Sequence, residues 1–473
     1  MSPDPDPVRV APPRGRDLRI DVARGVAMFT MLLSHTRDQE LTRWLPNRWG
    51  FADAADVFVT LSGLVAGIVF TRIAVTQGWP AMAGRVLRRC RTIWLAQIFS
   101  VVGIAFLALF IDRVLAGPLG LGHEYLSLWP VSPVLEKPVA ALLSLGAMIW
   151  VPNNFDILPM YMVLLVFVPV MIGLHRLAGL PAVLLFIATN YGLAHAGLNL
   201  PANPWNPGQT WYFNPFGWIL PFGLAFCFGA GWIPFPRVTG FRAALAAVFL
   251  VASLPLGFWA FRHGLWVPAW KDGLDAILTE LRPLTTKSEH GVLRGLAVFA
   301  MLMVGAWAAG PAGRRLREGV SFGEAGIPRG FEIVAGLVLV AGALALAIAG
   351  AGLPVEARRL MHLYGLGAWV TAVAALWCLA GSRGRHWAGR VAAPLVFARI
   401  ARIGRTSLAC FVASAPIALL TGMFLDATGG GMALSFVAAG IGFAALDRVA
   451  AWFDKTPERA AAGSLAGVVR KPG

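Results

Sequence analysis

DLRIDVARGVAMFTMLLSHTRD, residues 17–38, decides the fold class: it is apolar enough to enter a bilayer, yet it carries Asp21, Arg24 and His35. Charge inside a membrane helix is expensive, so it is placed there for a purpose. At 100° per residue, positions 17, 21, 24, 28 and 35 stay within roughly 60° of one line, so Asp17, Asp21, Arg24 and His35 form one polar stripe. Arg24 and His35 lie about 16 Å apart along the helix axis, roughly half the hydrocarbon thickness. A guanidinium at one end suits a phosphate; an imidazole at the other suits proton transfer. The plainer alternative is an Asp21–Arg24 ion pair at a helix start, with His35 capping the span at its outer boundary.

GFADAADVFVTLSG, residues 50–63, opens a second helix with Asp53 and Asp56 three positions apart. An antiparallel return brings Asp56 back towards His35. A carboxylate on the second nitrogen of an imidazole fixes its tautomer and stabilises the imidazolium that forms when it takes a proton. His35 as general base, oriented by Asp53 or Asp56, is the arrangement that acyl transfer to a hydroxyl requires.

Composition supports a membrane setting. The 473 residues are 57% hydrophobic and only 14% charged, with a mean hydropathy of +0.67. The expected fold is an all-α, polytopic transmembrane helical bundle of about 12 spans plus one short re-entrant or interfacial helix, Val139 to Trp150, which is too short to cross. Separate spans are expected from Tyr161 and from Pro181, with His175 and Arg176 in the turn between them. The formal net charge of +16 comes in short basic clusters between apolar runs, which positive-inside topology explains without nucleic acid. Residues 1–16, rich in proline and charge, are expected to be disordered and cytoplasmic. The membrane domain should cover 17–453, and a cytoplasmic tail 454–473. The four cysteines lie in or beside apolar runs without metal spacing, so neither a disulfide nor a metal site is expected.

Three further groups are candidates for binding. Arg85, Arg88 and Arg91 in GRVLRRCRTIW have helical spacing and could grip neighbouring phosphates, or simply set topology. In VPNNFDILP the residues Asn153, Asn154 and Asp156 interrupt helix at the membrane edge, either lining a cavity or forming a plain turn. Trp211 and Tyr212 form either an interfacial aromatic belt or a sugar-stacking platform. Nucleotide-binding and zinc-protease motifs are absent from the sequence.

The pair Arg24 and His35, with ten residues between, resembles the Arg/His motif of acyltransferase-3 type membrane enzymes. The longer series RIDVARG, LLSH, GFADAADVFVTLSG, NNFDILPMY from Asn153, FNPFGW from Phe213, KSEHGVLRGL from Lys287 and IGRTSL from Ile403 is similar to the OpgC family, and is spread over most of the chain. The resemblance implies an O-succinyltransferase of the bacterial inner membrane with both termini cytoplasmic. Its donor would be succinyl-CoA and its acceptor a hydroxyl of a periplasmic β-glucan, with no permanently bound cofactor. Partners would then be acyl-CoA, the glucan and the lipid bilayer. Arg24 with Asp21, and the cluster Arg85, Arg88 and Arg91, would hold the donor phosphates. Two other classes stay open: transfer of another acyl group to a different envelope glycan, and a transporter whose polar stripe relays protons.

Overall fold

Asp17 starts the first helix. Its carboxylate accepts the backbone N–H of Arg19 at 3.0 Å, satisfying one of the donors that a helix start leaves open. The Arg19 side chain then pairs with the same group at 2.6 Å and holds the carboxyl below its usual range against the opposing effect of burial. The computed structural model describes residues 17–257, 264, 267–320, 329–351 and 358–468. The N-terminal stretch expected to be disordered, residues 1–16, lies outside the described residues, as does the end of the tail, 469–473.

The described chain is helical. Its main elements are α1 (Leu18–His35), α2 (Ala54–Thr76), α3 (Trp79–Phe110), α4 (Pro138–Gly146), α5 (Ile157–His195), α6 (Pro215–Gly229) and α7 (Gly240–Gly257). They are followed by α8 (Val292–Ala309), α9 (Arg329–Ala351), α10 (Arg358–Trp387), α11 (Ala393–Arg405), α12 (Ser407–Ala427) and α13 (Met432–Val468). No strand occurs among the described residues. Eight of these helices are long and apolar enough to cross a membrane, fewer than the dozen expected. The difference has physical causes: α1 carries the charged stripe, α6 and the apolar part of α10, Val370–Ser382, are short, and α5 counts once.

At 39 residues α5 would be about 58 Å long if straight, roughly twice the hydrocarbon thickness. It is broken at Ala178 and Gly179, where Gly179 takes φ +72°, a value that suits a residue without a Cβ. The chain flanking the two ends of α5 then meets: Val151 N–H donates to the Ala202 carbonyl at 2.8 Å. Midway, Phe167 and Phe186 touch edge to face at 5.4 Å. The two limbs therefore run out and back, as the separate runs in the sequence suggest. The short helix α4 lies along α3, burying Ala141 and Leu145 and receiving the Trp94 indole N–H on the Gly146 carbonyl at 2.8 Å. At 9 residues it does not cross.

Helices that flank the site approach closely through glycine. A Cβ on Gly63 or Gly67 of α2 would collide with the carbonyls of Phe222 and Phe226 on α6, the close backbone approach by which membrane helices gain packing that lipid cannot supply. Around this seam Phe58, Trp218, Phe222 and Phe226 are buried in the main core. Helix α13 continues to Val468, past the boundary at Asp454 expected for the tail.

Candidate functional site

The start of α2 is a capping box built from two aspartates. Asp53 Oδ1 accepts the N–H of Ala55 at 2.8 Å, and Asp56 Oδ2 accepts the N–H of Asp53 at 2.7 Å, so each carboxylate satisfies backbone donors at the helix start. Their remaining contacts reach across to the chain before α8. Asp53 Oδ2 pairs with Lys287 Nζ at 2.6 Å and with the Arg294 guanidinium at 3.4 Å. Asp56 Oδ1 lies 3.2 Å from Arg294 Nε and 3.1 Å from His290 Nε2. Side-chain exposure is 0% for Asp56 and His290, 9% for Arg294, 12% for Asp53 and 29% for Lys287, so the network is most open at its lysine. Two carboxylates face two fixed cations, the balance that a buried ionic cluster needs.

This network reassigns Asp56. Its oxygens are committed to the Asp53 N–H and to Arg294, with His290 Nε2 3.1 Å away, so it belongs to this network, whereas the sequence suggests the His35 ring as its partner. The capping geometry turns the carboxylate back onto its own helix start, where the Lys287–Arg294 segment is waiting.

That segment is held from below by FNPFGW. The Trp218 indole N–H donates to the Lys287 carbonyl at 3.0 Å and the Asn214 N–H to the Ser288 carbonyl at 3.0 Å. Gly217 leaves the space into which the Glu289 backbone fits. His290 takes φ +55°, a costly conformation for a residue with a Cβ, and packs edge-on to Trp218 at 4.7 Å. Lys287 thereby stands over the Phe213 ring at 5.2 Å and the Tyr212 ring at 5.8 Å. Burial works against its charge, but Asp53 outweighs burial and holds the ammonium above its usual range. The same charge acts on both His35 and Asp156. Burial pushes the Asp156 carboxyl up to about 6.

His35 is the last residue of α1 and meets the buried Trp129 edge to face at 6.3 Å. It lines a polar cavity of about 470 Å³ together with Arg37, Asp38, Tyr125, Trp129 and Asn154. The rim is tied by polar contacts. His123 Nε2 lies 2.8 Å from Asp38 Oδ2, while Asp426 accepts the Gly122 N–H at 3.0 Å and the Tyr125 hydroxyl at 3.1 Å.

A second cavity, an apolar cleft of about 1680 Å³, follows α2 from Asp53 and Ala54 to Arg72 and Val75. That length of helix measures about 33 Å, the thickness of a bilayer core. Arg19, Arg72 and Arg315 stand at the end remote from Asp53, and Asp21 and Arg24 line the wall. Arg24 donates to Ser407 Oγ of the IGRTSL segment at 2.7 Å and lies over the Phe58 ring at 5.4 Å.

Compared with known protein families, residues 16–458 match the one described as OpgC protein. This chain belongs to the OpgC family. No curated protein and no solved structure matches it. Membership in the OpgC family implies, in general terms, a membrane-embedded transferase of acyl groups to glucans.

Within this OpgC-family structure the sequence candidates separate. Asp21, Arg24 and Asp53 line the apolar cleft; His35 and Asn154 line the polar cavity. Asn153 is exposed beside Asn154, and Asp156 is buried behind them. Arg85, Arg88 and Arg91 are exposed on α3 and line neither cavity; Arg85 donates to the Gln77 side chain at 3.2 Å. Trp211 is buried, with its indole N–H on the Pro201 carbonyl at 2.8 Å, so it holds its own loop, whereas Tyr212 is 50% exposed beside Lys287. Lys287, His290 and Arg294 carry no site role in the sequence reading. The signal was present: KSEHGVLR loads the mouth of an apolar run with charge, just as the stripe loads α1.

Proposed function

We propose that this chain is an inner-membrane O-acyltransferase that moves a succinyl group from succinyl-CoA to a hydroxyl of a periplasmic β-glucan, with both termini on the cytoplasmic side. The observation that carries this reading is the pairing of two cavities at one end of α1 and α2. The apolar cleft runs the thickness of a bilayer from a basic mouth at Arg19, Arg72 and Arg315 to Asp53. The polar cavity beside that end contains His35. A thioester has a polyanionic head and a long thin arm, which suit such a mouth and cleft. A sugar suits a polar pocket with an aromatic wall, here Trp129 and Tyr125.

In the reaction, His35 takes the proton of the acceptor hydroxyl as its oxygen attacks the thioester carbonyl. The carbon–sulfur bond breaks, the new ester stays on the glucan, and the coenzyme thiolate takes from the imidazolium the proton that the hydroxyl gave up. Holding donor and acceptor in adjoining cavities supplies the proximity on which such a transfer depends. Arg24, anchored by Ser407, would steer the donor along the wall of the cleft.

The test is transfer of label from radiolabelled succinyl-CoA to a β-glucan by purified protein and its His35→Ala variant. Loss of a general base costs on the order of 100-fold or more, with the variant still folded because a small apolar residue is welcome at a helix end. A variant that keeps more than about a third of the turnover removes His35 from this role. A native protein that transfers no acyl group sinks the reading altogether.

A further inference from the structure

We propose that Lys287 is the residue that recognises the free carboxylate of the transferred acyl group and so makes the protein selective for a dicarboxylic donor. This rests on the acyltransferase reading above. Within the ionic network the two carboxylates, Asp53 and Asp56, are matched by Arg294 and Lys287, but the members differ in access. Asp56 and His290 are sealed at 0% exposure, and Arg294 is at 9%. Lys287 is open at 29%, and its one carboxylate partner among the described residues is Asp53, at 2.6 Å. An ammonium has three N–H donors, so donors remain for an incoming anion without stripping Asp53 of its partner.

The surroundings fit that role. Phe213 and Tyr212 present rings 5.2 and 5.8 Å from the ammonium and would flank the methylenes between the thioester carbonyl and the carboxylate. Asp53 lines the apolar cleft at the end remote from Arg19, so its partner lysine stands beside that end of the cleft. The loop is rigid at this point, since the Lys287 carbonyl is held by Trp218 and the next carbonyl by Asn214. A neutral acyl group would leave the cation with no new partner, and a donor of equal size without charge would gain nothing from it.

The experiment compares succinyl-CoA, its monomethyl-ester analogue and acetyl-CoA as donors for native protein, Lys287→Gln and Lys287→Arg. In native protein, succinyl-CoA should exceed the methyl ester in kcat/KM by about 10- to 100-fold, the range of one charge-assisted hydrogen bond. Lys287→Gln should erase that ratio, and Lys287→Arg should restore most of it. Equal losses on all three donors in Lys287→Gln would make the lysine a structural member of the network and overturn the proposal. If Lys287→Gln does not fold, the native ratio decides: equal use of the succinyl donor and its methyl ester by native protein overturns it. Absence of transfer from any donor by native protein would instead defeat the acyltransferase reading itself.

Discussion

Removing Arg294 should destabilise the protein more than any surface change, because it leaves two aspartates with only Lys287 opposite. The guanidinium contacts both Asp53 and Asp56, and Asp56 is fully buried. Breaking a buried pair by deleting one partner costs about 3–5 kcal/mol, mostly the burial of the charge left behind. At roughly 2 °C per kcal/mol for a large chain, Arg294→Met should melt about 6–10 °C below native protein. The double variant Asp56→Asn with Arg294→Met leaves Asp53 facing Lys287, one charge against one. It should recover a large part of that loss, a coupling of about 2–3 kcal/mol. Thermal unfolding of native protein, Arg294→Met, Asp56→Asn and the double variant in one detergent, at one scan rate, measures it. If Arg294→Met melts within about 2 °C of native protein, or the double variant melts no higher than Arg294→Met, the reasoning from charge balance is wrong.

Leucine at Gly67 should force α2 and α6 apart, because its Cβ would meet the Phe226 carbonyl, while leucine at Gly103, which has nothing within 4 Å, should be nearly neutral. The expected gap is about 3 kcal/mol, read as a difference in melting temperature, and equal stability of the two variants would show that the seam is loose. Asp156 gives a pH-dependent test. Its carboxyl is raised from 3.8 to about 6 by burial, so the folded state favours the protonated form and stability falls as pH rises from about 4 through 6. Asp156→Asn should therefore gain up to about 3 kcal/mol at pH 8 and little at pH 4. A gain of equal size at both pH values would point to a cause other than ionisation.

The parts of this structure that read directly from the sequence are those fixed by periodicity and cost. The apolar runs gave the helices, including the break between the runs at Tyr161 and Pro181, because a turn at Gly179 with His175 and Arg176 beside it leaves a local mark. The stripe on α1 singled out Arg24 and His35, and the structure sets the first against the apolar cleft and the second against the polar cavity. What periodicity cannot supply is the partner of each charge. Asp56 was close to His35 by helix counting, but a capping box and a loop from the far side of the chain claimed it. Arg85, Arg88 and Arg91 had phosphate-binding spacing, yet spacing is the same for a cluster that only fixes topology, and both cavities pass them by. His290 depended on a positive φ supported by Trp218, which no local pattern announces.

The apolar cleft along α2 has an electrical consequence. A passage reaching from one face of a membrane to the other would drain the ion gradients of an energised cell if water filled it. Its walls are largely side chains such as Leu61, Leu64, Ile68 and Phe299, against which a hydrated ion loses its shell without compensation. At the far end Asp53, which lines the cleft, is already paired with Lys287 and Arg294, so it offers no free charge to an entering ion. A flexible, weakly hydrated arm can enter where an ion cannot. Resistance of the cleft to ions is in that case a property of its apolar walls.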